Sequence, residues 1–142
     1  VGVVGLPVPD DWAEAVPATQ AEAAAALPSL LLPDDPEGFA APSFRVDGDP
    51  AAAVVRAAYA GPGDRAFVLA QAAGERLTPP LDTADVVAVE VRTAEGDSVD
   101  GRFSPQRGLL EWVDEGTVRS IESTAIGLGE LVALAESMVP PR

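Results

Sequence analysis

Residues 108–123 read GLLEWVDEGTVRSIES, two alternating runs divided by an acid–glycine pair. Alternation sends successive side chains to opposite faces of a strand, and glycine takes positive φ without steric cost. The spacing therefore predicts strands over 108–114 and 117–123 that turn at Glu115-Gly116. Trp112 and Glu111 fall on opposite faces. Trp112 is expected to fill the space between a sheet and the terminal helix, with Gly116 and Ile121 specifying the hairpin and the acids forming its wet side. A two-residue loop brings Arg119 opposite Trp112, within reach of a cation–π contact of roughly 0.5–1 kcal/mol when exposed. A three-residue loop sets Glu111 opposite Arg119 instead, as a surface ion pair of little value.

A hairpin needs further strands to bury its apolar face, and the preceding chain supplies them. Strand character recurs over 43–47, 53–60, 66–72 and 86–93, the last alternating Val87, Val89 and Val91 with Ala88, Glu90 and Arg92. The turn-forming stretches GPGD (61–64) and EGD (95–97) imply short, antiparallel connections. Thr19 opens a helix with a capping box, Thr19 at N-cap and Glu22 three residues on, which Pro28 stops. Pro33, Pro36 and Gly38 rule out a long element over 28–39, which is read as an extended segment packing Leu30, Leu31 and Leu32. A second helix begins at Leu128, with Leu131, Val132, Ala135 and Val139 on one stripe, and ends at Pro140-Pro141. The expected fold is α+β: a twisted antiparallel sheet of about five to seven strands, the C-terminal helix packed on one face and a short N-terminal helix. Residues 1–18 are expected to be a linker or loosely docked arm, and 19–139 a single domain.

The chain contains no histidine, cysteine or lysine. Zinc and iron–sulfur ligation, triad catalysis with an imidazole base and Schiff-base chemistry all need those residues. No Gly-rich phosphate loop stands in the sequence. With 23 acids against nine arginines the net charge is −14, which disfavours nucleic acid and anionic lipid surfaces as partners. At 142 residues, 47% apolar and 23% charged, the chain has the size and balance of a folded domain. It opens at Val1 without methionine, and the apolar run VGVVGLPVP is far short of the roughly 20 residues that span a bilayer. This start is read as the stub of a removed anchor or signal on a longer protein.

Three groups were candidates for chemistry. Glu111, Asp114 and Glu115 surround Trp112, and paired carboxylates flanking an aromatic suggest glycoside hydrolysis. Strand alternation separates Glu111 from Trp112, so no catalytic residue is assigned. Asp34-Asp35-Glu37, Asp47-Gly48-Asp49 and Glu95-Gly96-Asp97 with Asp100 offer oxygen ligands, but none matches a calcium loop, and they are read as solvated turns with no metal or cofactor. AQAAGERLTPP (70–80) is a polar end to a strand. Trp112, Arg119, Gln71 and Arg76 are offered as interaction residues.

Read together, three segments resemble a known bacterial domain. LPSLLLPDDPEGF (27–39) is similar to its proline-rich lead-in, LEWVDEGTVRSI (110–121) to its W-x-x-x-G hairpin, and LGELVALAESM (128–138) to its closing helix. It is a domain of unknown function, found in the extracellular C-terminal parts of membrane-anchored regulators resembling anti-sigma factors and in surface lipoproteins. The resemblance spans about 19–139. Arg119 stands where the pattern often carries an aromatic, and DDPEG lengthens the lead-in. No catalytic residues come with the family. The resemblance implies a non-enzymatic, extracytoplasmic sensor or interaction domain at the cell surface, on an anchored parent chain. The alternative is a module holding an apolar ligand, such as a lipid or lipoprotein chain, between sheet and helix. The Ala, Gly, Pro, Val and Arg richness suits a high-GC bacterium.

Overall fold

A computed structural model of the chain describes residues 16–34, 36, 38–47, 53–63, 65–74, 86–93, 96–114 and 116–141. The elements are β1 (Val16–Ala18), α1 (Gln20–Ala26), β2 (Leu32–Pro33), β3 (Ser43–Asp47), β4 (Val54–Ala60), β5 (Ala66–Ala73), β6 (Val87–Arg92), β7 (Ser98–Ser104), β8 (Leu109–Asp114), β9 (Thr117–Glu122), α2 (Leu128–Glu136) and β10 (Met138–Val139). The main sheet is open, in the order β1-β3-β4-β5-β9-β8-β7-β6, and β2 pairs with β10 in a separate two-stranded ladder. Every pairing is antiparallel. Seven strands of five to eight residues thus form the expected sheet, and the three-residue β1 adds an edge.

The hairpin expected over 108–123 is β8–β9, with Asp114 paired to Thr117 and a two-residue turn in which Gly116 has φ +74°. That register puts Arg119 directly across from Trp112. One row of paired residues then runs across seven strands on a single face: Val46, Val55, Gln71, Arg119, Trp112, Gly101 and Val89. The next row on that face is Phe44, Ala57, Leu69, Ile121, Leu110, Phe103 and Val87. Over this face lie α1 beside β1 and β3, the 27–33 segment above β5 and β9, and α2 above β6 and β8. Trp112, Phe67, Leu30, Leu69, Leu110, Ile121 and Leu131 are the bulkiest of the side chains sealed between these layers.

α1 has the expected capping box: Thr19 Oγ1 accepts from the Glu22 amide at 3.1 Å, and Glu22 Oε1 from the Thr19 amide at 2.9 Å. Three readings change. Within the stretch expected to be a linker or loosely docked arm, Val16–Ala18 forms an edge strand paired with residues 44–46 of β3, while 1–15 lie outside the described residues. β7 was not expected, because Asp100-Gly101-Arg102 breaks its apolar pattern. Gly101 is there for space: a Cβ would lie 2.8 Å from the Glu111 carbonyl oxygen, across from Trp112. α2 stops at Glu136 rather than running to Pro140, since a proline pushes the residue before it toward extended backbone. Ser137 caps the helix, and Met138–Val139 pairs with Leu32–Pro33 instead. Among the described residues no helix is long and apolar enough to cross a membrane.

Candidate functional site

Of the four residues expected to offer an interaction surface, the three that the structure describes are buried. Trp112, Arg119 and Gln71 are only 2%, 2% and 1% exposed, and Arg76 lies outside the described residues. Their order in the row explains this: Gln71 and Arg119 are the polar middle of an otherwise apolar strip facing the 27–33 segment. Arg119 Nη1 donates to the Ser29 carbonyl at 2.9 Å and to Gln71 Oε1, and Nε stands 3.6 Å from Asp114 Oδ2. Gln71 clasps Leu31 from both sides, accepting from its amide at 3.2 Å and donating to its carbonyl at 2.8 Å. The hydroxyls of Ser29 and Thr117 share a further hydrogen bond. Buried polar groups are tolerated only with such partners. Here the partners include the carbonyls of Ser29 and Leu31, which lead into β2, so the cluster fastens this segment to the main sheet.

Of the carboxylates expected on the hairpin's wet side, Glu111 and Asp114 are buried. Asp114 shares the Trp112 face beside Arg119, whereas Glu111 lies on the opposite face, 8% exposed and bonded to Arg102 Nε at 2.8 Å. The two do not converge, and each has its own arginine. The side chain of Glu115 lies outside the described residues. Of the acidic turns, Asp34, Asp97 and Asp100 are exposed, and among the described residues no three carboxylates gather as a metal site. Between sheet and α2, where an apolar ligand is one expected occupant, Trp112, Arg119, Ala135 and Met138 border a crevice of about 10 Å³. That is room for about one water molecule.

Open volume lies elsewhere, at a place the sequence reading missed. A surface groove of about 410 Å³ runs where the β2–β10 ladder meets residues 39–42 and β4, within the size range of ligand sites. Its lining includes five prolines, Pro33, Pro36, Pro42, Pro140 and Pro141, together with Leu32, Phe39, Tyr59 and Val139. The aromatic floor is braced from behind by Phe67, which stacks on Tyr59 at 4.6 Å between ring centroids and meets Phe39 edge-on at 5.0 Å. Burial pushes the Tyr59 phenol up to about 12, so it stays protonated at neutral pH. Arg65 lies over the Phe39 ring, 5.7 Å from its centroid, and forms an ion pair with Glu130 of α2. A second recess of about 520 Å³ shares Gln20, Ala41 and Pro42 with the groove and continues along Phe44 and Arg45. The signal available in the sequence was proline spacing: Pro33, Pro36 and Pro42 on one side, Pro140 and Pro141 on the other. Only the pairing of β2 with β10 brings them together.

Compared with models of protein families, with curated proteins and with solved structures, the chain matches none. The fold and its groove therefore carry the functional argument.

Proposed function

We propose that this chain is a non-enzymatic, extracytoplasmic interaction domain, the sensor part of a membrane-anchored regulator of anti-sigma type or of a surface lipoprotein. One observation carries the reading: the three segments that resemble such a domain form a single unit. The lead-in is tied to the hairpin through Ser29–Arg119, Ser29–Thr117 and Leu31–Gln71 beside it. It is tied to the end of the closing helix through the Leu32–Val139 and Pro33–Met138 pairs. The groove lies beside that junction: the lead-in supplies Leu32, Pro33, Asp34, Pro36 and Phe39, and Val139, Pro140 and Pro141, just past the closing helix, form the facing wall. Arg119, standing in for an aromatic, makes by hydrogen bonds the contact to the lead-in that an apolar ring would make by packing.

The alternative, an apolar chain held between sheet and helix, requires the 10 Å³ crevice at Trp112 to open to several hundred Å³. The reading is tested in the host by joining alkaline phosphatase, active only after export, to the end of the full-length gene product, and by deleting this domain in parallel. Export of the reporter and altered transcription of the genes under the cognate sigma factor are expected. A reporter retained in the cytoplasm, or an unchanged transcript profile after deletion, overturns it.

A further inference from the structure

We infer that the groove between the β2–β10 ladder and β4 is a docking site for an arginine-bearing, aliphatic peptide segment of a protein partner. The inference rests on the reading of the chain as an interaction domain and adds the chemistry of what it binds.

The backbone of the groove accepts hydrogen bonds far more than it donates them. Its five prolines contribute carbonyls and no N–H. Three other lining amides already donate within the fold: Asp34 to the Ser137 carbonyl at 3.1 Å, Phe39 to Pro36 at 3.3 Å and Ala40 to Ala60 at 2.9 Å. An anion, or a peptide relying on backbone acceptors, finds few donors here. A guanidinium brings five donors and no acceptor. Among the described residues of the lining, the charged one is Asp34, an exposed carboxylate, and the whole chain carries −14. Both favour a cation, the near charge by direct contact and the net charge by steering its approach. The floor and walls, Phe39, Tyr59, Leu32, Val139 and the proline rings, suit the apolar stem of an arginine and its aliphatic neighbours.

The test is isothermal titration and amide chemical-shift mapping of the full chain with the peptide acetyl-Leu-Arg-Val-Arg-Leu-amide, alongside versions with both arginines replaced by glutamine or by glutamate. Binding of the arginine peptide alone is expected, with shifts centred on Gln20, Phe39, Tyr59 and Val139. Asp34→Asn is expected to weaken it about ten-fold, the size of one lost charge-assisted hydrogen bond. Ala41→Trp, which fills the exposed rim, is expected to abolish it. Glu90→Gln removes the same charge from β6, away from the groove, and is expected to leave affinity unchanged. Equal loss in Glu90→Gln, equal binding of the glutamate peptide, or shifts away from the groove overturns the inference as attraction to overall charge. A null titration overturns it as well. If domain deletion in the host still alters transcription, only the inference about the groove falls and the interaction domain stands.

Discussion

At position 119 a charged side chain occupies the middle of a core face, and its neighbours determine what removing it costs. Arg119→Met leaves Asp114 buried without its cation, and takes a donor from the Ser29 carbonyl and from Gln71 Oε1. Breaking a buried pair in this way is expected to cost about 3–5 kcal/mol in urea unfolding, and Arg119→Met/Asp114→Asn less than the single change. Equal stability of the two variants would show that Asp114 does not depend on Arg119. Across the sheet, Gly101→Ala forces a methyl to 2.8 Å from the Glu111 carbonyl oxygen, and a loss of about 1–3 kcal/mol is expected in thermal melts. A wild-type melting curve for this variant would mean that the strands separate there at little cost. Glu122 is a case of the opposite kind. Burial raises its carboxyl above the ordinary 4.5, Arg107 opposes that shift, and nearby Glu111 adds to it. The folded chain then holds the proton more tightly than the unfolded one. This contribution to stability is present below about 4.5 and is lost as pH rises through the folded value. Glu122→Gln is accordingly expected to be more stable than the parent at pH 7 and to lose that advantage below pH 4. Urea midpoints that differ by the same amount at both values would contradict the linkage.

Elements with strong periodic or capping signals were legible in the sequence, and those made by long-range pairing were not. Thr19 and Glu22 announce α1 because both partners of the capping box lie within one turn. Replacing Thr19 with alanine is expected to cost about 1 kcal/mol, read from the urea midpoint, and no change would mean that packing of Ala23 alone holds the helix. The alternation of 110–121 marked β8 and β9 and set Trp112 and Glu111 on opposite faces, but left two registers open, and the Asp114–Thr117 pair decides between them. The alternation held the signal for Arg119 as well. Thr117, Arg119 and Ile121 are in phase, so an arginine in that set belongs to the buried face, where Gln71, in phase with Leu69, awaits it. Their charge and polarity argued for surface, and the carbonyls of Ser29 and Leu31 that satisfy them are some 40 to 90 positions away in the chain. β7 was hidden by a glycine chosen for close approach, and β2 and β10 by the prolines beside and within them. The groove, walled by those same prolines, could not be read before the ladder was known.

On the scale of the whole molecule, 23 carboxylates meet nine guanidiniums in one small fold. Self-repulsion of that size disfavours the compact state and is screened by salt, the Debye length falling to about 3 Å at 1 M. The melting temperature is expected to rise between 10 mM and 500 mM sodium chloride, and a flat or falling response would show that the internal arginine pairs outweigh the net charge. The β2–β10 ladder has a consequence of its own. It joins residues more than a hundred positions apart, so its closure carries a larger loop entropy than any neighbouring hairpin and is placed among the late events of folding. Apart from β1–β3 and β5–β9, neighbouring strands of the sheet follow one another directly in the chain, but the proline walls meet only when the 32–33 segment and the 138–139 segment are both in place. A nascent or clipped chain that has formed β8–β9 still has no groove. Recognition through it would report that two segments far apart in the sequence have come together.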